Sequence, residues 1–196
     1  MKSKPLKNSE IFDFLAEKQS FSALYKTHKT LKKSRVKKLL KSAAKTAGTV
    51  KKHSVTLSVV ECFVDGAAQP NPGPAGAGAV FYRNSLKIAE ISEYLGVKTN
   101  NQAEYSALIL ALDKAAKIKE KFSSLRIYSD SLLMVNQTNG LWRVKDKGIA
   151  LLLSEVKKKI EIIKSKKNAS VSLKHIVREK NKTADALSVL AIKNKN

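Results

Sequence analysis

From residue 57 onward the chain switches its hydrophobic period in a fixed order, and that order restricts it to a mixed α/β domain. Leu57–Val64 is a β-rich run closing on Asp65. Gly66–Gly76 reads as a turn-rich loop because it contains Pro70, Pro72 and Pro74. Ala77–Tyr82 and Lys87–Tyr94 read as strands around a short Arg83-Asn84-Ser85 turn. Asn101–Lys119 repeats Ala, Leu and Ile at three and four, which predicts a long helix. Leu125–Tyr128 returns to strand. Ser131–Gln137 and Ile149–Ile163 read as helices separated by Gly140-Leu141-Trp142. Val171–Val177 alternates as a strand, and Thr183–Lys193 is a final helix. The order is β-β-β-α-β-α-α-β-α, with no internal repeat.

The first quarter of the chain has a different character. Ile11, Phe14 and Leu15, then Phe21, Leu24 and Tyr25, then Val36, Leu39, Leu40, Ala43 and Ala47 keep helical spacing. Helices near 9–17, 20–28 and 31–47 follow, with Ser20 a plausible cap for the second. The expected division is a basic three-helix extension over 1–47, a linker over 48–54 and a larger domain over 55–196. Charge is concentrated in the extension. The chain has 38 Lys+Arg against 16 Asp+Glu, a net +22, and residues 1–54 carry 15 basic and three acidic residues, a balance of +12. Such an excess repels itself and favours polyanions, nucleic acid first and an anionic membrane second. A basic grip on the phosphates of double-stranded nucleic acid is the plainer reading of the extension. A helix-turn-helix with its third helix in a major groove is the sharper one. Cys62 is the only cysteine, so an internal disulfide and a zinc knuckle are excluded. No apolar stretch approaches the ~20 residues of a bilayer span. The N-terminus lacks the apolar core of a secretory signal and includes Glu10, Asp13 and Glu17. A monomer in the cytoplasm, without membrane attachment, is the expectation.

Four acids fall at telling places on this map. Asp65 is expected at the end of the first strand and Asp130 just past the fourth. Glu104 is expected in the first turn of the long helix, after an Asn100 or Asn101 cap. Asp185 is expected in the opening turn of the last helix, after an Asn181 cap. Strand ends and helix starts meet at one edge of an α/β sheet, where such folds bind ligands. Converging carboxylates repel, so protons or cations must join them. Oxygen-only ligands suit Mg²⁺ or Mn²⁺, and two such ions suit phosphodiester hydrolysis. The helix dipole alone explains an acid at either helix start. It does not explain an aspartate closing the apolar run Cys62-Phe63-Val64.

Four ordered motifs carry a resemblance. Phe63-Val64-Asp65-Gly66-Ala67-Ala68-Gln69-Pro70-Asn71-Pro72-Gly73-Pro74-Ala75-Gly76-Ala77-Gly78 resembles the first-strand signature of type 1 ribonuclease H. Thr99-Asn100-Asn101-Gln102-Ala103-Glu104, Tyr128-Ser129-Asp130-Ser131 and Asn181-Lys182-Thr183-Ala184-Asp185-Ala186-Leu187 resemble the three motifs that follow. The resemblance implies a five-stranded mixed sheet, strands one to three antiparallel and the rest parallel, flanked by helices, with the extension an added all-α segment. It implies Asp65, Glu104, Asp130 and Asp185 as ligands of two Mg²⁺ ions, with Mn²⁺ able to substitute. It also implies endonucleolytic hydrolysis of the RNA strand of an RNA/DNA hybrid to 5′-phosphate and 3′-hydroxyl ends. Gly66, Asn100, Asn101 and Gln102 would face the hybrid, and Asn71 and Thr99 would seat a phosphate of the DNA strand.

Two departures accompany the resemblance. Well-known bacterial members carry a basic protrusion after the third motif, and here only Leu141–Val144 and one helix fill that space. Many members have a His in a mobile loop before the last Asp. His175 occupies the ungapped position, but it shares a strand face with Val171 and Leu173 and reads as inward-facing. Arg178, in Arg178-Glu179-Lys180-Asn181, is the auxiliary residue the resemblance favours, for transition-state or product contacts. Gly73, Gly76 and Gly78 lack the dinucleotide-loop order and precede a strand, so that reading is set aside. Trp142 and Tyr82 read as core aromatics, and Lys157-Lys158-Lys159 as a solvated helix face. A proofreading-type exonuclease is disfavoured, because such enzymes place a Glu where Ala67 stands.

Overall fold

The structure, a computed structural model, describes residues 11, 24–26, 28, 31–50 and 58–194. The chain divides into two compact units, Met1–Thr56 and Leu57–Asn196. In the first, Ile11, Leu24 and Val36 are buried together, with Tyr25, Leu31, Leu39 and Leu40 packed against them. All of these but Leu31 are positions of the predicted apolar stripes. Helix α1 spans Lys33–Val50. It therefore runs into the segment 48–54 read as a linker: Gly48 costs a helix about 1 kcal/mol, but no proline stops it. Ser20 and most of the first two predicted helices lie outside the described residues.

The second unit is built on a five-stranded sheet of order β3-β2-β1-β4-β5. The strands are β1 (Val59–Ala68), β2 (Gly73–Arg83), β3 (Leu86–Lys98), β4 (Ser124–Ser129) and β5 (Ser170–His175). β1 pairs antiparallel with β2, and β2 with β3, while β4 lies parallel to both β1 and β5. The helices are α2 (Asn100–Lys117), α3 (Leu132–Thr138), α4 (Lys147–Lys167) and α5 (Lys182–Lys193), with a 3₁₀ turn at Arg178–Lys180. Among the described residues no helix is long and apolar enough to cross a membrane.

Alternation along β1 sorts the two faces of the sheet. Val60, Cys62 and Val64 are buried and join Phe81 of β2, Leu125 and Ile127 of β4, Tyr105, Leu108 and Leu112 of α2, and Val156 and Ile163 of α4 in the main core. Glu61, Phe63 and Asp65 alternate with them and are half-buried. Phe63 stacks on Tyr128 with ring centroids 4.9 Å apart and meets Tyr82 edge-on at 5.9 Å.

Four local readings change. Most of the predicted loop Gly66–Gly76 is strand, because the β1–β2 ladder extends to Ala68↔Ala75. Pro70 and Pro72 fall in the connection, and Pro74 lies just beyond that ladder, where a missing N–H costs least. Asp65 thus sits inside β1, opposite Gly78, and not at its end. Trp142, read as core, is 46% exposed in the connection between α3 and α4. His175 is exposed rather than inward, since it is the last residue of edge strand β5.

Glycines set how closely the helices approach the sheet: a Cβ on Gly76 would lie 2.2 Å from the carbonyl oxygen of Ser188, and Gly66 and Gly78 meet the helix starts. A Cβ on Gly66 would lie 2.1 Å from the carbonyl carbon of Ala103 and 2.3 Å from the backbone nitrogen of Glu104. A Cβ on Gly78 would lie 2.1 Å from the carbonyl oxygen of Ala184. Both obstacles are helix backbone, which side-chain rotation cannot clear. Gly66→Ala is therefore expected to lower the unfolding free energy by about 3 kcal/mol, read as a lower midpoint in urea at unchanged slope. A stability equal to the wild type would show that α2 does not depend on this contact.

Candidate active site

The close approach at Gly66 and Gly78 brings together the starts of α2 and α5 and the middle of β1. Asp65 comes from β1, Glu104 from α2, Asp130 from the residue after β4, and Asp185 from the first turn of α5. Glu104 stands just beyond the first turn of α2. All four are half-buried. They are near enough to act on one another. Burial pushes the Asp65 carboxyl upward, and the charges of Asp130 and Asp185 add to the rise, against a bond from Ser188. Burial pushes Glu104 up to about 7, with further contributions from Asp65 and Asp130 and an opposing bond from Ser131.

Each carboxylate has its own donor. The Ser188 hydroxyl lies 2.6 Å from Oδ2 of Asp65, and the Ser131 hydroxyl 2.5 Å from Oε2 of Glu104. The Asn181 amide donates to Oδ1 of Asp130 at 2.6 Å and to the Val64 carbonyl at 3.0 Å. Arg178 donates to Oδ1 of Asp185 at 2.8 Å. Among the described residues no three Asp, Glu, His or Cys side chains are yet gathered round a single point. The donor set is nonetheless that of a hard divalent cation. It is all oxygen, and two of its carboxyls are held above their ordinary pKa by burial and by the charge of neighbouring carboxylates.

A second constellation forms at the N-terminus of α2. Thr99, not Asn100 or Asn101, is the cap: its hydroxyl oxygen accepts from the Gln102 N–H at 3.3 Å, and Gln102 Oε1 accepts from the Thr99 N–H at 2.9 Å. Asn100 Oδ1 accepts from the Ala68 N–H at 2.7 Å, and Asn71 Oδ1 accepts from the Asn100 N–H at 3.0 Å. The β1–β2 connection is thereby tied to the helix start, next to Gly66. Asn71, Asn100 and Asn101 are exposed there. His175 stands apart from this network, at the end of β5.

The family model described as Reverse transcriptase-like matches residues 63–191. Ribonuclease HI of Halobacterium salinarum is 37% identical over 130 residues, covering 66% of this chain and 62% of that protein. Bifunctional protein Rv2228c of Mycobacterium tuberculosis is 43% identical over 83 residues, which is 41% of this chain but 22% of that protein. The chain therefore spans less than two thirds of these curated relatives. The crystal structure of RNase H1 from Halobacterium salinarum superposes with a TM-score of 0.64 at 33% identity, covering 69% of this chain and 98% of that one. LC11-RNase H1, solved in complex with an RNA/DNA hybrid, superposes with a TM-score of 0.63 at 33% identity, with the same coverage. The chain belongs to the type 1 ribonuclease H family.

Within this ribonuclease H fold, sequence reasoning located the four acids but missed what holds them. Ser188 was not singled out. Its signal was its place three residues after Asp185, on the same side of α5, where its hydroxyl also lies 2.8 Å from the Asp185 carbonyl. Asn181 was read as a helix cap. It does stand at the cap position, but its side chain makes no capping bond and is spent on Asp130 and Val64. Asn139–Asp146 is all that separates α3 from α4, in keeping with the short spacing read from the sequence.

The raised carboxyl gives a stability signature. The folded-state pKa of Glu104 exceeds its ordinary 4.5, so without metal the folded state loses stability as pH rises from 4.5 through about 7. Glu104→Gln removes that loss. In EDTA the variant should match the wild type near pH 4 and exceed it near pH 8 by on the order of 2 kcal/mol, measured by urea unfolding at both pH values. A difference independent of pH would show that Glu104 ionises freely in the folded protein.

Proposed function

We propose that this chain is an endonuclease that hydrolyses the RNA strand of an RNA/DNA hybrid, using two Mg²⁺ ions, or Mn²⁺, held by Asp65, Glu104, Asp130 and Asp185. The observation that carries the reading is a set of four half-buried carboxylates, brought from four separate elements to one neighbourhood and each with its own donor. Kinship with ribonuclease HI, and with a relative solved on an RNA/DNA hybrid, supports the choice of substrate. Bound there, such ions lower the pKa of a water nucleophile and offset charge on the leaving oxygen. Water adds to the scissile phosphorus and the bond to the 3′ oxygen breaks. The phosphate stays on the 5′ end of the downstream fragment, and the upstream fragment keeps a 3′-hydroxyl.

The chain's own residues have matching tasks in this reading. Ser188, Ser131 and Asn181 orient Asp65, Glu104 and Asp130, and the carboxylates would draw closer together around the ions on binding. Arg178 is mostly exposed and reaches Asp185 from the loop before α5, so its guanidinium is free to turn toward a phosphate. Asn71, Asn100 and Gln102 have their amide oxygens committed to backbone N–H groups. Their NH₂ groups, with the Thr99 hydroxyl and the exposed Asn101, serve as donors to the hybrid's phosphates and 2′-hydroxyls. Gly66 lets β1 reach the helix start, beside any contact of its own with substrate.

The test uses labelled RNA/DNA hybrid, duplex DNA and duplex RNA in Mg²⁺, in Mn²⁺ and in EDTA, with Asp65→Asn alongside. Hybrid RNA should be cut in either metal and not in EDTA, leaving 5′-phosphate ends, and the variant should lose roughly a thousandfold or more of the rate. Tight binding of hybrid with no cutting in either metal would make the chain a binding protein instead.

A further inference from the structure

We propose that the outer face of α1 is a contact surface for the sugar-phosphate backbone of duplex nucleic acid, indifferent to base sequence and supplied by the N-terminal unit. The choice of partner rests on the nuclease reading; the surface itself rests on charge. Helix α1 carries Lys33, Arg35, Lys37, Lys38, Lys41 and Lys45 and no acidic residue. Its apolar side is already used, because Val36 is buried with Ile11 and Leu24 and Leu39 and Leu40 pack on that cluster. Of the cations, Lys33 lies over the ring of Tyr25, 5.8 Å from its centroid, where Tyr25 packs on that cluster. Lys37, Lys38 and Lys41 are exposed. Among the described residues none of the three forms an ion pair, whereas in the second unit Lys87, Lys159 and Lys164 pair with Glu90, Asp113 and Glu161.

That arrangement costs the isolated helix stability. Lys33, Lys37 and Lys41 are spaced four apart, and like charges at that spacing repel by a few tenths of a kcal/mol per pair. Lys33 and Arg35 also lie in the first turn, where the helix dipole disfavours cations. A polyanion along this face reverses each of these terms. The bulk charge agrees, since +12 of the +22 lies in residues 1–54. Duplex phosphates are the occupant favoured over a membrane, because among the described residues the apolar side chains of this helix, Val36, Leu39 and Leu40, are engaged in the cluster rather than offered to lipid.

The test compares full-length wild type with Lys37→Gln/Lys38→Gln/Lys41→Gln and with the matching triple Lys→Arg variant. Binding to an RNA/DNA hybrid and to duplex DNA is measured in EDTA by fluorescence anisotropy, from about 50 to about 200 mM salt. The Gln variant should bind both duplexes roughly tenfold more weakly at the higher salt, with a log-log salt slope shallower by about 2. The Arg variant should bind like the wild type. Where hybrid is cut, kcat should stay within about twofold and the loss should appear in KM. Circular dichroism of the variants checks that α1 persists. An unchanged Kd and slope, or an Arg variant as weak as the Gln variant, would overturn the proposal. So would a loss confined to anionic phosphatidylglycerol vesicles. A shallower slope in a protein that cuts nothing would support this surface while refuting the nuclease reading, and an active nuclease with an unchanged slope would do the reverse.

Discussion

Two backbone-to-backbone contacts underlie the candidate site. At Gly66 the first strand lies against the start of α2, and at Gly78 the second strand lies against the start of α5, so closely that neither position has room for a methyl group. Asp65 and Gly78 face each other in the ladder, so the two contacts flank one carboxylate. The sheet contributes Asp65 and, through the end of β4, Asp130. The helices contribute Glu104 and Asp185 at the distance the glycines permit. A side chain at either glycine would lever a helix outward and separate acids that no local interaction holds together.

Bringing those acids together runs against their charge. Part of the cost shows in the upward push on Asp65 and Glu104, which burial causes and neighbouring carboxylates increase. Part is offset by bonds from Ser188, Ser131, Asn181 and Arg178. Three of these donors are neutral, so they orient the carboxylates without cancelling their charge. Arg178 supplies the single formal cation among them, from an exposed position. The result is a set of underneutralised carboxyl oxygens, which a divalent cation would stabilise on drawing them together.

The same polyanion chemistry recurs in another form in the first unit. There Lys37, Lys38 and Lys41 of α1 are exposed and form no ion pair among the described residues, while the second unit pairs several of its lysines with nearby acids. One unit offers carboxylates suited to a metal, and the other a plain electrostatic surface. Neither requires base edges to be read, which suits the proposed substrate, one defined by backbone type rather than by sequence.

Much of this was legible from residue order. Strand and helix sequence, the four acids and the stripes over Ile11, Leu24, Val36, Leu39 and Leu40 are local or periodic properties, and hydrophobic period carries them directly. The resemblance of the motifs supplied the sheet's mixed pairing, which the ladders bear out. What misled were boundaries and neighbours. Prolines suggested a long loop where the β1–β2 ladder persists, because a proline outside that ladder gives up no bond of it. His175 looked inward by alternation, yet an edge strand's last residue has no layer to cover it. Thr99 rather than an asparagine caps α2, and the Asn100 side chain accepts from the Ala68 N–H at the end of β1 instead. The sequence by itself determined which elements form and which acids are available, since both depend on residues a few positions apart. Only the tertiary structure decided that Ser188 serves Asp65, that Asn181 serves Asp130 and that Gly66 and Gly78 admit the helices. Those pairings join residues distant in the chain, and they exist only once the sheet has set the distance between them.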